Sequence, residues 1–189
     1  MLRSVLITLT VAFSVSVNAQ EINYNYVQGS YGQIDIDYGG LEFDGDGPGI
    51  SASLALGESF FIFGDYQTAD MDLDIDFNLS ELAVGYHTDI SPNLDVYANV
   101  GYVRIKADSF FFSSNDDGVS VGLGVRGVVS QSVELFGGIN YMDFDDPYDE
   151  TRVHAGFEFS VTDNIGVGLK AILWDNLNIF QINARLYFK

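Results

Sequence analysis

The sequence predicts an all-β fold, a transmembrane antiparallel up-and-down β-barrel of 10 strands. Three observations predict it. Apolar residues alternate with small, polar or charged residues in one short segment after another. Aromatic residues recur near the ends of the apolar register. Cys is absent, so no disulfide framework can hold an exported sheet together. Closing the sheet into a barrel is another way to hold it, and it also removes the free edges.

The last hairpin shows the alternation most clearly. Its non-apolar faces carry glycines, polar side chains and the cations Lys170 and Arg185. A wall with lipid on one side and a polar lumen on the other has this division. A soluble β-sandwich is the alternative, but it does not predict regularly spaced charges opposite the apolar face. The apolar faces consist of Ile165, Val167, Leu169, Ala171 and Leu173, then Phe180, Ile182, Ala184, Leu186 and Phe188.

The beginning of the chain, residues 1–19, predicts a secretory signal peptide. Arg3 precedes an apolar run from Val5 to Val17, and a small-x-small pattern ends at Ala19. A membrane-anchor helix is the alternative, but it needs about 20 apolar residues, and this run is shorter. We therefore expect cleavage after Ala19 and one mature barrel domain over residues 20–189.

The charge of the mature chain excludes one class of partner. All 27 acidic residues lie after Ala19, whereas Arg3 leaves with the signal peptide, so 8 cations become 7 and the net charge is 7 − 27 = −20. Such a chain is not expected to bind nucleic acid. A hydrophobic content of 47% is too high for a disordered acidic chain.

The first five strands are predicted from apolar or small residues at every second position. The apolar faces are Val27, Gly29 and Tyr31; Ile50, Ala52, Leu54 and Leu56; Phe60, Ile62, Gly64 and Tyr66; Leu82, Val84 and Tyr86; and Val96, Ala98, Val100 and Tyr102. The short segments Gly57–Ser59 and Ser91–Asn93 predict tight turns.

The next three strands follow the same rule before the last hairpin. Their apolar faces are Val119, Val121, Leu123 and Val125; Val133, Leu135, Gly137, Ile139 and Tyr141; and Val153, Ala155, Phe157 and Phe159. Ser130–Ser132 and Thr162–Asn164 are the predicted turns. A barrel of eight strands is the alternative. It would apply if one long strand has been divided into two, or if a hairpin outside the membrane has been counted among the barrel strands.

The remaining connections are long and acidic, except the short turn at Asp175 and Asn176 within the last hairpin, which lies on the same side as the long ones. We expect loops over residues 38–49, 107–117 and 143–150, whereas the alternation over residues 68–78 predicts a hairpin that continues beyond the membrane. Short turns on one side and long connections on the other place both termini on the periplasmic side.

Two sets of side chains follow from this register. We expect paired charges that fill the lumen, with a narrow path for ions or solutes as the alternative. This set is Asp65, Glu81, Arg126, Glu134, Arg152, His154, Glu158, Lys170 and Arg185. Aromatic girdles at the two membrane interfaces are expected from Phe60, Tyr66, Tyr86, Tyr102, Tyr141, Phe159 and Phe188.

The sequence offers few candidates for metal binding or catalysis. The acidic loops contain Asp44, Asp46, Asp72 and Asp74, which we expect to form a solvated acidic rim; the alternative is that they are oxygen ligands for Ca²⁺ or Mg²⁺. His154 precedes Ala155 and Gly156, so it lacks a Ser partner at the spacing that barrel deacylases use. We expect neither catalysis nor a cofactor.

The signal peptide, the alternating strands and the terminal Leu186–Tyr187–Phe188 resemble the small outer-membrane β-barrels of Gram-negative bacteria, the OmpA-, OmpX- and opacity-like porin-type proteins. Tyr24–Tyr31 and Ser91–Tyr97 are similar to stretches in the sulfation-dependent quorum factor group. The resemblance implies a monomer in the cell outer membrane, in contact with lipid and lipopolysaccharide. It also implies that the assembly machinery reads the C-terminal strand, here followed by Lys189.

Overall fold

The computed structural model describes residues 22–38, 40–110, 113–145 and 149–189. No helix within these ranges is long and apolar enough to cross a membrane. The described residues form ten strands: β1 (Tyr26–Tyr38), β2 (Leu41–Leu56), β3 (Phe60–Met71), β4 (Ile75–Ser91), β5 (Leu94–Asp108), β6 (Ser113–Ser130), β7 (Val133–Phe144), β8 (Asp149–Ser160), β9 (Ile165–Leu173) and β10 (Leu177–Tyr187).

The strands form one closed antiparallel barrel. Each strand pairs with its neighbours in the chain, and β10 pairs with β1. The closing register runs from Tyr26 opposite Tyr187 to Ile36 opposite Leu177. The prediction of a ten-stranded up-and-down barrel is therefore confirmed, and the eight-strand alternative is wrong. The predicted signal peptide lies outside the described residues.

Both chain ends lie at one end of the barrel, here called the terminal end. The Asn23 side-chain amide donates a hydrogen bond to the Phe188 carbonyl over 3.2 Å, and the Phe188 N–H donates to the Asn25 carbonyl over 3.1 Å. The turns between β2 and β3, β4 and β5, β6 and β7, and β8 and β9 lie at this end. The other five connections lie at the opposite, hairpin end.

The long loops predicted at the hairpin end are mostly strand. β2 already begins at Leu41, β5 continues to Asp108, and β8 begins at Asp149. The prediction was wrong because Gly and Asp were interpreted as loop formers, whereas in β2 the outward Asp44 and Asp46 alternate with the inward Gly45 and Gly47 and keep the ladder pairing. The hairpin predicted over residues 68–78 is confirmed, since β3 and β4 pair as far as Met71 and Ile75.

The polarity of the wall inverts along several strands, and β3 is an example. Near the terminal end, β3 exposes Phe60 and turns Asp65 and Gln67 inward; near the hairpin end, it buries Met71 and exposes Asp70. The side chains facing outward thus change from apolar to acidic, and those facing inward change from polar to apolar. The part nearer the terminal end matches a lipid environment. The hairpin end has the apolar interior of a soluble barrel.

Candidate functional site

The lumen near the terminal end holds the charges predicted for it. Glu81, Arg126, Arg152, Glu158 and Arg185 are buried, and the other four of the nine are half-buried. Eight of the nine line one cavity of about 130 Å³, together with polar side chains of other strands. The eight are Asp65, Glu81, Arg126, Glu134, Arg152, His154, Lys170 and Arg185.

Two ion pairs in this lumen are tight. The Arg126 guanidinium donates to both carboxylate oxygens of Glu134, with Nε–Oε1 and Nη2–Oε2 distances of 2.7 and 3.0 Å. Arg152 Nη2 donates to Glu81 Oε2 over 2.5 Å, and Ser120 Oγ donates to Glu81 Oε1 over 2.9 Å. Arg126 and Glu134 lie on the neighbouring strands β6 and β7, whereas Arg152 of β8 and Glu81 of β4 lie on strands that are not neighbours, so the second pair ties the wall together across its interior.

Other lumen charges are more loosely held. Arg185 Nη2 is 3.9 Å from Glu158 Oε2, and both Glu158 oxygens lack a hydrogen bond within the described residues. Lys170 and Asp65 line the same cavity, and no hydrogen bond or ion pair joins them to another described residue. A polar cavity of this kind is suited to ordered water.

The two lumen histidines have aromatic neighbours. Tyr97 Oη lies 3.0 Å from His154 Nε2, and Gly124 leaves room for the Tyr97 ring, because a Cβ there would lie 2.3 Å from Tyr97 Cζ. His87 lies at the terminal end, where its ring stacks on Tyr24. The His154 contact with Tyr97 is not the Ser–His arrangement of acyl-transfer enzymes.

An apolar layer fills the lumen at the hairpin end. Ile34, Val103, Met142 and Ile179 each have a relative exposure of 0%. The complete layer consists of Ile34, Ala69, Met71, Phe77, Leu79, Val103, Met142, Phe144, Ile172, Trp174, Leu177 and Ile179. The Arg152 guanidinium lies 5.9 Å from the centroid of the Trp174 ring, which marks the boundary between this layer and the charged cavity.

A second closure lies at the terminal end. Tyr24 precedes β1, and its side chain is buried inside the barrel at 4% exposure. Its ring stacks on His87 at 4.0 Å and packs against Phe61 at 4.8 Å. Arg126 Cζ lies 4.5 Å from the Tyr24 ring centroid, and Arg126 also donates to the Asn23 carbonyl over 3.2 Å. The segment before β1 therefore folds across this mouth of the lumen.

The seven predicted girdle residues lie exposed on the outer wall in two groups. Phe60, Tyr86, Phe159 and Phe188 lie towards the terminal end, and Tyr66, Tyr102 and Tyr141 lie towards the hairpin end. Phe60 and Tyr86 pack edge to face with their ring centroids 5.3 Å apart. The exposed apolar band lies between the two groups.

A repeated tyrosine contact occurs in four hairpins. In each, a tyrosine of the odd-numbered strand donates its hydroxyl to a side-chain oxygen of the following strand. The pairs are Tyr31 with Asp46, Tyr66 with Asn78 (2.6 Å), Tyr102 with Asp117 (2.5 Å) and Tyr141 with Asp149 (2.9 Å). The sequence analysis missed this set because the partners lie 8 to 15 residues apart. Only the strand register reveals the spacing.

The acidic metal candidates do not form a three-ligand group within the described residues. Asp44 and Asp46 lie on the outer face of β2, and Asp72 and Asp74 lie in the turn after β3. The group that does bring three potential ligand atoms within 4.8 Å of one another is His87, Asp89 and Asp95. The sequence analysis missed it because Asp89 and Asp95 become opposite one another only in the β4–β5 register.

The comparisons with known proteins agree with the architecture. A family model described as the outer membrane protein β-barrel domain matches residues 5–160. No curated protein matches the chain.

Among solved structures, the chain is similar to the outer membrane protein OprG from Pseudomonas aeruginosa, with 11% identity, a TM-score of 0.48 and coverage of 91% of this chain and 99% of that one. It is also similar to the KdgM porin, with 9% identity, a TM-score of 0.47 and coverage of 86% and 99%. The attachment invasion locus protein Ail of Yersinia pestis matches with 14% identity, a TM-score of 0.42 and coverage of 89% and 99%.

Proposed function

Because this chain belongs to the family of outer membrane protein β-barrels, we propose that it is a closed barrel of the outer membrane with a structural and surface-interaction role. The observation that supports this role is the apolar layer across the lumen, in which Ile34 and Ile179 are fully buried opposite one another. An apolar constriction excludes water and ions unless it moves aside. Tyr24 covers the lumen at the terminal end in the same way.

A planar-bilayer conductance measurement tests this proposal. We expect the purified wild-type barrel to stay silent, and an Ile34→Ser/Ile179→Ser variant, which makes the layer polar at one cross-strand pair, to show steady openings. A heat-modifiability gel on both proteins checks that each is a folded barrel. Steady openings of the wild type would refute the closed barrel.

A narrow channel for small solutes or ions is the second candidate. The cavity lined by Lys170 and Asp65 favours it, since charged groups without direct partners are suited to solvating a permeating ion. The path would have to continue past Val103 and Met142, which fill the lumen at the hairpin end. The same conductance measurement separates the two functions.

We propose no catalytic role and no organic cofactor for this barrel. His154 contacts a phenol, and His87 contacts an aromatic ring and a carboxylate. Neither arrangement provides a serine nucleophile beside a base. An assay of lipid A before and after incubation with the folded protein tests this proposal, because any loss or transfer of an acyl chain would contradict it.

We propose that the hairpin end meets lipopolysaccharide through divalent cations. Carboxylates lie directly opposite one another on neighbouring strands there, as Asp35 does with Asp44 and Asp70 does with both Asp46 and Asp76. A divalent cation between such an acidic surface and a lipid phosphate would offset the like-charge repulsion. Isothermal titration that detects no Ca²⁺ uptake at millimolar concentration would remove this proposal.

We propose that the barrel assembles as a monomer and that its C-terminal strand is the part the assembly machinery reads. β10 closes the sheet by pairing with β1, and Phe188 is exposed next to the last residue, Lys189. Replacing Phe188 by Ala should lower the folded fraction in outer membranes, whereas deleting Lys189 should not. Equal yields of the wild type and the Phe188 variant would contradict this role.

A further inference from the structure

We propose that His87, Asp89 and Asp95 form a binding site for a divalent transition-metal ion at the terminal end of the barrel. His87 and Asp89 lie two residues apart on the same face of β4, and Asp95 of β5 pairs directly with Asp89. One potential ligand atom from each of the three lies within 4.8 Å of the other two. The set combines one imidazole with two carboxylates, and both are ligand types that bind zinc.

The separation of the donor atoms fits a metal better than a hydrogen bond. His87 Nδ1 and Asp95 Oδ2 are 3.3 Å apart, yet Nδ1 is buried and has no hydrogen-bond partner of acceptable geometry within the described residues. Two ligands bound tetrahedrally to Zn²⁺ at about 2.0–2.1 Å lie about 3.3–3.4 Å from each other. An ion between the two atoms would therefore occupy the lone pair that the protein leaves unused.

The site is rigid on its inner side and open on its outer side. The His87 ring stacks on Tyr24 with a centroid distance of 4.0 Å and an interplanar angle of 19°, which fixes the direction of Nδ1. The side chains of His87 and Asp95 are 12% and 7% exposed. Asp89 is exposed and borders a groove of about 820 Å³ outside the barrel. An ion can enter from that groove and keep a water molecule as its fourth ligand.

The electrostatics of the group also suit a cation. These residues lie beyond the Tyr86 girdle, outside the membrane-spanning band. His87 offers an imidazole nitrogen, and Asp89 and Asp95 offer two carboxylates that lie opposite one another. The charge of Arg126, which acts on both His87 and Asp95, is paired with Glu134 at 2.7 Å.

The experiment measures Zn²⁺ binding to the folded, tag-free barrel in detergent by isothermal titration. We expect one ion per chain, and at least about tenfold weaker binding in His87→Phe, which keeps the ring stack, and in Asp95→Asn. Asp163→Asn is the matched control, because Asp163 is an exposed acid in the turn after β8 at the same end; its binding should equal that of the wild type. Excess Ca²⁺ should not compete, because imidazole favours transition metals.

Two outcomes would overturn the proposal. One is the absence of Zn²⁺ uptake by the wild type at millimolar concentration. The other is uptake that the His87 and Asp95 substitutions leave unchanged, which would place the ion elsewhere on the acidic surface. If a variant fails the heat-modifiability gel, Co²⁺ bound to the wild type gives a second readout. Its visible spectrum should show the intense bands of a four-coordinate site, and the weak bands of a six-coordinate ion would refute the site.

Discussion

Replacing Glu81 by Gln tests whether the lumen charges hold the barrel together. The Glu81 side chain is 3% exposed, and its two oxygens accept hydrogen bonds from Arg152 and Ser120. Gln has nearly the same shape and can still accept from one of these donors. The substitution therefore removes one negative charge and leaves the Arg152 guanidinium, 2.5 Å away, buried without its counter-charge.

The expected loss of stability in Glu81→Gln is large because its partner Arg152 is buried. Breaking a buried ion pair by removing one member costs about 3–5 kcal/mol. With a urea dependence of about 1–3 kcal/mol per molar, the unfolding midpoint should fall by at least about 1 M. The exposed pair of Arg104 with Asp117 gives the comparison, since its side chains are 48% and 26% exposed. Removing a surface pair of this kind costs about 0.2–1 kcal/mol.

The assay follows the single tryptophan of the chain during urea unfolding in lipid vesicles. Trp174 lies next to Arg152, with the guanidinium 5.9 Å from its ring centroid, so its fluorescence reports on this part of the lumen. Asp117→Asn is the control. An additional Glu81→Met/Arg152→Met variant should recover much of the stability, because apolar residues of similar volume often replace a buried pair without loss.

A loss below about 1 kcal/mol for Glu81→Gln, no larger than that of the surface control, would refute the reasoning. It would show that water in the lumen screens the pair as effectively as bulk solvent does. The lumen charges would then fill space without stabilising the barrel.

Three further predictions concern the hairpin end. Ile179→Ala leaves a void in the apolar layer, so we expect the free energy of unfolding to fall by about 2–5 kcal/mol and iodide to quench the Trp174 fluorescence more easily; unchanged quenching would argue against a sealing layer. Tyr102→Phe removes the hydroxyl that donates a hydrogen bond to Asp117, so the free energy of unfolding measured in urea should fall by about 1 kcal/mol or less; a larger fall would mean that the contact is not a surface one. Hydrogen bonds from Arg104 lower the pKa of the exposed Asp117 carboxyl below its ordinary value of 3.8, so their stabilisation is complete above that pH and is lost as the pH falls through the lowered pKa. The protection factors of the amides at the tips of β5 and β6 against hydrogen exchange should therefore fall below about pH 4 in the wild type, and an equal fall in Arg104→Gln would contradict the assignment.

The barrel and the direction of its side chains could be predicted from the alternation alone. A period of two fixes which residues share a face, so Lys170 and Arg185 had to lie opposite the apolar outer face of the last hairpin. The terminal-end turns were equally predictable, because Pro92 and Asn93 mark one of them locally. These features depend on neighbouring residues, which is why the sequence was sufficient.

The closures of the lumen could not be predicted in this way. Met71 and Phe77 alternate with aspartates, and the same pattern is compatible with either face being outside. Only the environment decides, because the apolar face turns outward in lipid and inward in water. The His87 group depends on the β4–β5 register, and the burial of Tyr24 depends on its contacts with Phe61 and His87. Each of these features depends on contacts between residues that the local pattern does not specify.

The inverted polarity also explains how the hairpin end tolerates its own charge. Asp70 lies opposite both Asp46 and Asp76, and like charges in directly opposite positions destabilise a sheet by up to about 1 kcal/mol each. Burying a large apolar side chain contributes about 1.5–3 kcal/mol, and the interior of the same strands buries Met71, Phe77 and Met142. The core therefore outweighs the repulsion, and the hairpin end is stabilised from within rather than by lipid. The extended hairpins should consequently keep their pairing in detergent.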